Sequence, residues 1–500
     1  MKIAIIGAGF SGLVNARVQR ELGGDVTVFE KAPDVGGVWS RTRRYPGLRT
    51  QNDKGSYALS ELKMPKDYPQ WPTGEQVQQY LELYVEKFDL TPALRLSTEV
   101  LTAEPDETGW NLTVRSTDPG SGPAHGAPGG APEHFDHLIV ANGIFSEPFI
   151  PSYEGVDVLE AAGGRICATS DVHSLDEVAG KHVIMVGYGK SAHDTAVELA
   201  KVAASTTVVA RDLLWKVPRY IGGVVNYKNL LLTRLGEALF PYHDRRGFEK
   251  FLHGAGKGVR NGMMGSVQSV STKQLKLEEL GLVPKGSLED IAKSSISLAS
   301  EGFFEAVKEG RITALRDTQI VRFVEAGGKP HAELSDGRVI PADVVVCGTG
   351  HQQLVPFFSE EMQARLQDEQ GSFELYRHIL PHDVPNLTFG GYNSSFFSPL
   401  SAEAGAIWIA SHLRGGHQVP PVAERRRLVR DRLAWMESRT KGHHARGTFV
   451  VPFSMHNIDD VLDEVGLNVG KGTRFTQWLA PVNPSSYRRT LSRLKRRLAA

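Results

Sequence analysis

One pattern occurs twice in this chain and constrains its fold more than any other feature: a short apolar run, a G-x-G-x-x-(G/A) turn, and a helical stretch. The first copy is KIAII at 2–6, then Gly7-Ala8-Gly9-Phe10-Ser11-Gly12, then LVNARVQREL up to Gly23-Gly24. A second apolar run, DVTVFE, ends in Glu30, 18 residues beyond Gly12. Short, unbroken apolar runs of this kind suit strands covered on both faces of a parallel sheet. Each glycine has its own reason. Gly7 permits a tight turn, Gly9 lets a backbone approach a pyrophosphate, and Gly12 lets helix and strand pack closely. The helix start offers unpaired N–H groups and a positive dipole end. Glu30 is spaced to accept hydrogen bonds from ribose hydroxyls.

The second copy is HVIMV, then Gly187-Tyr188-Gly189-Lys190-Ser191-Ala192, a helix, and TTVVA ending in Arg211, 19 residues after Ala192. Two copies imply two dinucleotides, and the residue closing each second strand tells them apart. Glu30 repels a 2′-phosphate, whereas Arg211 can grip one through charge-assisted bonds of about 1.5–3 kcal/mol each. That favours NADPH at the second site; the plainer reading of Arg211 is a solvated charge at a strand end. Gly189-Lys190-Ser191 imitates a triphosphate-binding loop, but that motif needs glycine at 184, and Ile184 stands there.

The expected fold class is α/β, with two dinucleotide-binding Rossmann-like domains, the second inserted into a discontinuous first. The division expected is 1–165 with 320–500 for the first, and 166–319 for the second, NADPH-binding one with a helical insertion. LIVANG (138–143) and VVVCGTG (344–350) read as strands at which the chain crosses between the two. NLTVRS and HLIVANG read as neighbouring strands joined by the Pro/Gly-rich loop 118–134. Residues 222–310 read as largely helical, for example LEDIAKSSISLASEGFFEAVKEG. ELSDGRVIPADVVV reads as a hairpin turning at Asp336-Gly337. The basic tail YRRTLSRLKRRLAA reads as a solvated terminal helix.

Composition excludes several classes. Lys+Arg and Asp+Glu both total 57, which leaves no bulk charge for nucleic acid. Cys167 and Cys347 form no C-x-x-C pair, so neither a disulfide framework nor a cysteine zinc site is expected. The sequence shows no H-E-x-x-H and no G-x-S-x-G, and no metal is expected. No apolar run reaches the length of a membrane span, and MKIAIIGAG opens on the first strand without a leader pattern. A cytoplasmic protein is the expectation.

Taken together, GAGFSG, Glu30, GGVW, YPGLRTQNDKGSYALS, DYPQWPTGEQVQQYLELYVEKF, VANGIFSEPFIP, VGYGKSAHD, VCGTG and LYRHILPHDVPNLTFGGYNS resemble the flavin-containing monooxygenases. These are class B flavoprotein monooxygenases, related to the Baeyer–Villiger enzymes. The resemblance runs nearly end to end. It implies FAD held by Gly7, Gly9, Phe10, Ser11, Gly12 and Glu30, with Gly37, Val38 and Trp39 alongside. It implies NADPH held by Gly187, Gly189, Lys190, Ser191 and Arg211, with Gly350 nearby. The chemistry implied is hydride transfer from NADPH to FAD, reaction with O2 to a flavin C4a-hydroperoxide, and transfer of one oxygen to a nucleophilic nitrogen or sulfur of a small-molecule substrate. Family members are often homodimers.

Three departures bear on this. Where the family has F-x-G-x-x-x-H, this chain has Cys167 to His173, keeping only the His and the following Ser174. Baeyer–Villiger members carry Trp four residues after that His, and here Glu177 stands there. Amine- and sulfur-oxidising relatives place an Asn three residues before Lys54, and here that position is Gln51, with Asn52 next to it. The catalytic candidates are therefore Gln51 or Asn52, an amide orienting the oxygen to be transferred, and Lys54, a cation beside it or an ordinary surface lysine. Tyr392–Phe397 and the inserted helical region are expected to contact substrate. Two alternatives stay open: oxygen insertion beside a ketone, and an NADPH oxidase or reductase that oxygenates nothing.

Overall fold

The computed structural model describes residues 1–118, 131–290, 297–440 and 442–499. It is a mixed α/β fold built on two five-stranded sheets, each parallel throughout. The first sheet runs Leu387–Phe389, His137–Val140, β1 (Lys2–Ile6), β2 (Asp25–Phe29), Leu94–Arg95. The second runs Thr313–Arg316, β4 (Ser205–Ala210), β3 (His182–Val186), Val344–Cys347, Arg165–Ala168. In both, the strand before the glycine turn is central and leads into a helix: α1 (Phe10–Glu21) or α2 (Lys190–Leu199). His137–Val140 and Val344–Cys347 are buried along their whole length, as strands covered on both faces must be. Each fully buried Val, Ile or Leu contributes about 1.5–3 kcal/mol.

The chain passes from the first sheet to the second after Val140 and returns after Cys347. The two passages pair with each other: Glu147–Pro148 runs antiparallel to His351–Gln352. The second sheet thus takes in Val344–Cys347 as well as strands between 165 and 316. The hairpin at Asp336-Gly337 is present, joining Lys329–Leu334 to Val339–Pro341 with Gly337 at φ +85°.

Two local expectations are corrected. Trp110–Ser116 pairs with Thr98–Pro105 and Glu133–Phe135 in a separate antiparallel sheet, while His137–Val140 joins the first parallel sheet. Residues 119–130 of the expected loop lie outside the described residues. The stretch 288–310 is not one helix: Leu288–Asp290 is a single turn, Ser297–Leu298 pairs in parallel with Lys216–Val217, and among the described residues of the stretch only Phe303–Lys308 is α-helical. Its apolar residues are buried in short pieces, Phe303–Lys308 packing on α2. The tail does form a helix, Thr490–Leu498, with Leu491 and Leu494 buried. Its basic side chains reach the rest of the chain, Arg493 donating to the Leu467 and Asn468 carbonyls.

Among the described residues no helix is long and apolar enough to cross a membrane. Cys167 and Cys347 are free and buried on adjacent strands. Burial pushes their thiols up to about 11 and about 12, so both are inert packing residues at neutral pH.

Candidate functional site

The first glycine turn is shaped by close backbone contacts. Gly7 sits at φ +109°, and a Cβ there would lie 2.4 Å from the Ala141 carbonyl oxygen. A Cβ on Gly12 would lie 1.8 Å from the Gly7 carbonyl oxygen. Gly9 differs: its Cβ would meet only Gly37 Cα, at 3.6 Å. The fold therefore needs glycine at 7 and 12 for its own packing, while the space before Gly9 is left for something else. α1 starts at Gly9 with no side chain capping it, so its first N–H groups face that space. Gly36 N–H donates to the Ala8 carbonyl at 3.0 Å, folding the GGVW segment over the turn. Glu30 lies in the same place, accepting from Ala8 N–H at 2.8 Å and Ala32 N–H at 2.9 Å. Phe10 and Trp39 both meet the Tyr57 ring edge-on, at 5.5 and 5.8 Å. Val38 points outward and is 37% exposed. Behind Ser11 lies Gly390, where a Cβ would be 2.5 Å from Ser11 Oγ.

The second turn repeats this geometry. Gly187 has φ +112°, and a Cβ would lie 2.5 Å from the Gly348 carbonyl oxygen. Ala192 fits at the third position because residue 348 is glycine: a Cβ there would lie 2.7 Å from the Ala192 methyl. Gly189 is open, with nothing nearer than 4.0 Å, and α2 likewise starts uncapped. Both turns thus present the concave, donor-lined surface that a dinucleotide diphosphate fits.

The remaining expected contacts of the second turn divide. Arg211 is at the end of β4, 74% exposed, with Nε donating to Asp212 at 3.2 Å. A cavity of about 170 Å³, lined by Asp212, Trp215, Lys285 and Arg316 among others, follows it. Ser191 is half-buried in the first turn of α2. Lys190 turns inward and pairs with Asp194; burial lowers its pKa against the pull of that carboxylate. Asp194 also accepts from Ser300 Oγ at 2.5 Å and is bonded to the buried Tyr45 phenol, whose pKa burial drives up. Lys216 beside them is pushed down to about 7, first by burial. Gly350 is on the crossover, where its carbonyl accepts from Phe149 N–H at 2.9 Å.

The loop at 50–54 joins the two halves. Asn52 is 2% exposed and its Nδ2 donates to the Phe396 carbonyl at 2.5 Å. Gln51 is half-buried; its Oε1 accepts from Leu298 N–H at 3.3 Å and its main-chain carbonyl accepts from Tyr227 Oη at 2.8 Å. Because a backbone N–H requires an acceptor, Gln51 must present its NH2 group away from Leu298. Lys54 donates to the carbonyls of Pro65, Lys66 and Tyr68, closing that turn. The lysine that meets a carboxylate in this loop is Lys228, 2.6 Å from Asp53 Oδ2. Sequence reasoning missed Tyr227 and Lys228, which carry no motif and lie about 175 positions away.

The Glu177 departure has a structural role. Glu177 accepts from His173 and Ser174 N–H, each at 2.9 Å, and from Arg165 at 2.7 Å. It caps a turn, and the Ser174-Leu175-Asp176-Glu177 spacing was the available signal. The 392–397 run reaches the loop through the Phe396 carbonyl, while Tyr392 is buried and donates to Asn142 Oδ1 at 2.8 Å.

Residues 1–246 match the family model of flavin-binding monooxygenase-like proteins. The chain is 25% identical over 530 positions to the probable flavin-containing monooxygenase 1 of Arabidopsis thaliana, covering 97% of this chain and 96% of that one. It is 25% identical over 512 positions to the N-oxide-forming dimethylaniline monooxygenase 2 of Macaca mulatta, covering 96% and 84%. Among solved structures, NADP+-bound cyclohexanone monooxygenase from Rhodococcus sp. Phi1 shares the fold, with a TM-score of 0.67 at 18% identity, covering 96% of this chain and 98% of that one.

Proposed function

We propose that this chain, whose residues 1–246 match the flavin-binding monooxygenase-like family model, is an FAD- and NADPH-dependent monooxygenase that transfers one atom of O2 to a nucleophilic nitrogen or sulfur of a small organic substrate. The observation that carries this reading is the pair of glycine turns, each closed where the fold needs contact and open at its second glycine. We assign FAD to the first, with Gly7, Gly9, Phe10, Ser11, Gly12, Glu30, Gly37 and Trp39 around it. NADPH goes to the second, with Gly187, Gly189, Ser191 and Arg211, each sheet and its helices forming one dinucleotide-binding domain. When bound, the reduced flavin supplies the oxygen activation, so the protein needs no nucleophile of its own.

What the chain supplies is position and exclusion of water. The uncapped helix starts hold the two diphosphates. Arg211, paired among the described residues with its exposed neighbour Asp212, can turn to a 2′-phosphate. Of the two candidate amides, Asn52 is buried with one of its two N–H donors on the Phe396 carbonyl, whereas Gln51 is half-buried and, among the described residues, is held only through its Oε1 side, so we take Gln51 as the one whose Nε2 donates to an oxygen in transit. Lys54 maintains the 65–68 turn. Glu177, an anionic turn cap where ketone-oxidising relatives carry Trp, supports the choice of nitrogen or sulfur. The same proposal includes a cytoplasmic homodimer.

The test is incubation of the flavin-loaded protein with NADPH, air and a panel of amines, thioethers and cyclic ketones, followed by mass spectrometry. A gain of one oxygen on an amine or thioether is expected. Lactone from the ketones establishes the ketone-inserting alternative, and peroxide equal to NADPH consumed with every compound establishes an oxidase.

A further inference from the structure

We infer that Tyr227 and Lys228 are positioning residues that hold the Gln51 amide in register through the 51–53 main chain and the buried Asp53 carboxylate. This rests on the reading that Gln51 is the donating amide. The loop is held from its own half by Thr50 N–H on the Pro72 carbonyl at 3.0 Å and Lys54 N–H on the Gln70 carbonyl at 2.8 Å. Those bonds fix its ends, and Asn52 Nδ2 on the Phe396 carbonyl at 2.5 Å ties residue 52 from the same half, which leaves Gln51 and the Asp53 carboxylate to the inserted region. There, three contacts arrive from the other half: Tyr227 Oη on the Gln51 carbonyl at 2.8 Å, Lys228 Nζ on Asp53 Oδ2 at 2.6 Å, and Leu298 N–H on Gln51 Oε1 at 3.3 Å.

The chemistry of the set makes it directional. Consecutive residues 227 and 228 grip positions two apart on the loop, one by its main chain and one by its side chain, which fixes both translation and rotation of the segment between. Asp53 is 5% exposed, and its other oxygen accepts from Ser56 Oγ at 2.5 Å. Without Lys228 a buried carboxylate would keep only neutral donors, an arrangement that drives the loop to rearrange. Tyr227 is fully buried and cannot exchange its bond for water. Its own N–H donates to the Arg219 carbonyl at 3.0 Å, and the Arg219 guanidinium stacks over Trp71 at 4.8 Å. Gln51 therefore has its amide placed only while the inserted region is docked.

The experiment compares wild type, Lys228→Met, Lys228→Arg, Tyr227→Phe and the charge-reversed pair Asp53→Lys with Lys228→Asp. Amide hydrogen exchange of peptides spanning 48–58 is read on the protein without cofactors. NADPH oxidation and peroxide formation in air, with no added substrate, are read on the flavin-loaded protein. Lys228→Met should raise exchange in this peptide at least fivefold and peroxide-forming turnover severalfold, while the KM for NADPH stays within twofold. Lys228→Arg and the reversed pair should return both towards wild type. Unchanged exchange in Lys228→Met overturns the inference, and faster exchange with unchanged peroxide formation reduces the set to a purely structural one and overturns it too. Tyr227→Phe, which removes one oxygen, decides the matter if Lys228→Met does not fold. A wild-type protein that retains no flavin refutes the proposed function instead, and the exchange data then judge the loop contacts alone.

Discussion

Gly9→Ala separates what the fold requires from what a ligand requires. Gly9 lies at φ −81°, ψ −170°, a conformation alanine adopts without strain. Its new methyl would meet only Gly37 Cα at 3.6 Å, an ordinary contact. Replacing a glycine N-cap by alanine costs about 1 kcal/mol, and the smaller entropy of the unfolded alanine chain offsets about 0.4–1 kcal/mol of that. The protein without cofactors should therefore unfold within about 2–4 °C of wild type. The methyl does, however, project into the space before the uncapped start of α1. Forcing an extra methyl into a filled site costs about 1–3 kcal/mol, so FAD should bind roughly 5- to 150-fold more weakly. Thermal unfolding by circular dichroism and FAD titration by flavin fluorescence measure the two quantities on one preparation. Gly12→Ala is the contrast: its methyl would lie 1.8 Å from the Gly7 carbonyl oxygen, and that variant should lose the fold along with the flavin. Wild-type FAD affinity in Gly9→Ala refutes the assignment of the first turn, and unfolding as severe as that of Gly12→Ala refutes the claim that the space is external to the core.

Arg211→Ala should raise the KM for NADPH at least tenfold more than that for NADH, with little change in unfolding temperature because the side chain is 74% exposed and pairs with the exposed Asp212; parallel rises remove the 2′-phosphate contact. Asn52→Ala should destabilise the protein by about 1–3 kcal/mol, because the Phe396 carbonyl loses its donor, whereas Gln51→Ala, which removes only the longer 3.3 Å bond from Leu298 N–H, should cost less stability than Asn52→Ala and raise the peroxide formed per NADPH. The reverse pattern, seen in denaturant titration and peroxide assay, assigns the roles the other way. His456 offers a pH signature. Burial alone would lower its pKa, but Glu237 and Glu249 on its two ring nitrogens outweigh burial and raise it to about 10. A folded value above the unfolded one near 6.5 means stability that is complete below about pH 6.5 and lost as pH rises through about 10. His456→Gln should flatten the fall in unfolding temperature over that window, and equal slopes in the two proteins refute the pairing.

The parts of the molecule legible in the sequence are those whose cause is local. A glycine that must accept a positive φ, an apolar run covered on both faces, and an Asp-Gly hairpin each announce themselves within a few residues. Both strand–turn–helix units and the hairpin at 336–337 follow from such signals. The stretch 288–310 was misread because apolar spacing there reports burial of short separate pieces and not continuous helix. Glu177 was read only as a departure from the Trp of ketone-oxidising relatives, although its capping spacing was on view. The Asp53–Lys228 pair had no local signal, since two residues 175 positions apart meet only once both sheets are built. The choice between Gln51 and Asn52 likewise depends on partners, Leu298 and Phe396, supplied by distant segments.

The paired crossover at 147–148 and 351–352 has a mechanical consequence. Since the outgoing and returning strands lie side by side, the covalent connections between the two halves run together. Elsewhere the halves meet through non-covalent contacts: a shared apolar core, the Arg234–Asp459 pair and polar bonds such as Tyr227 to Gln51. Side-chain changes at those polar bonds would alter how the halves meet while leaving both sheets intact.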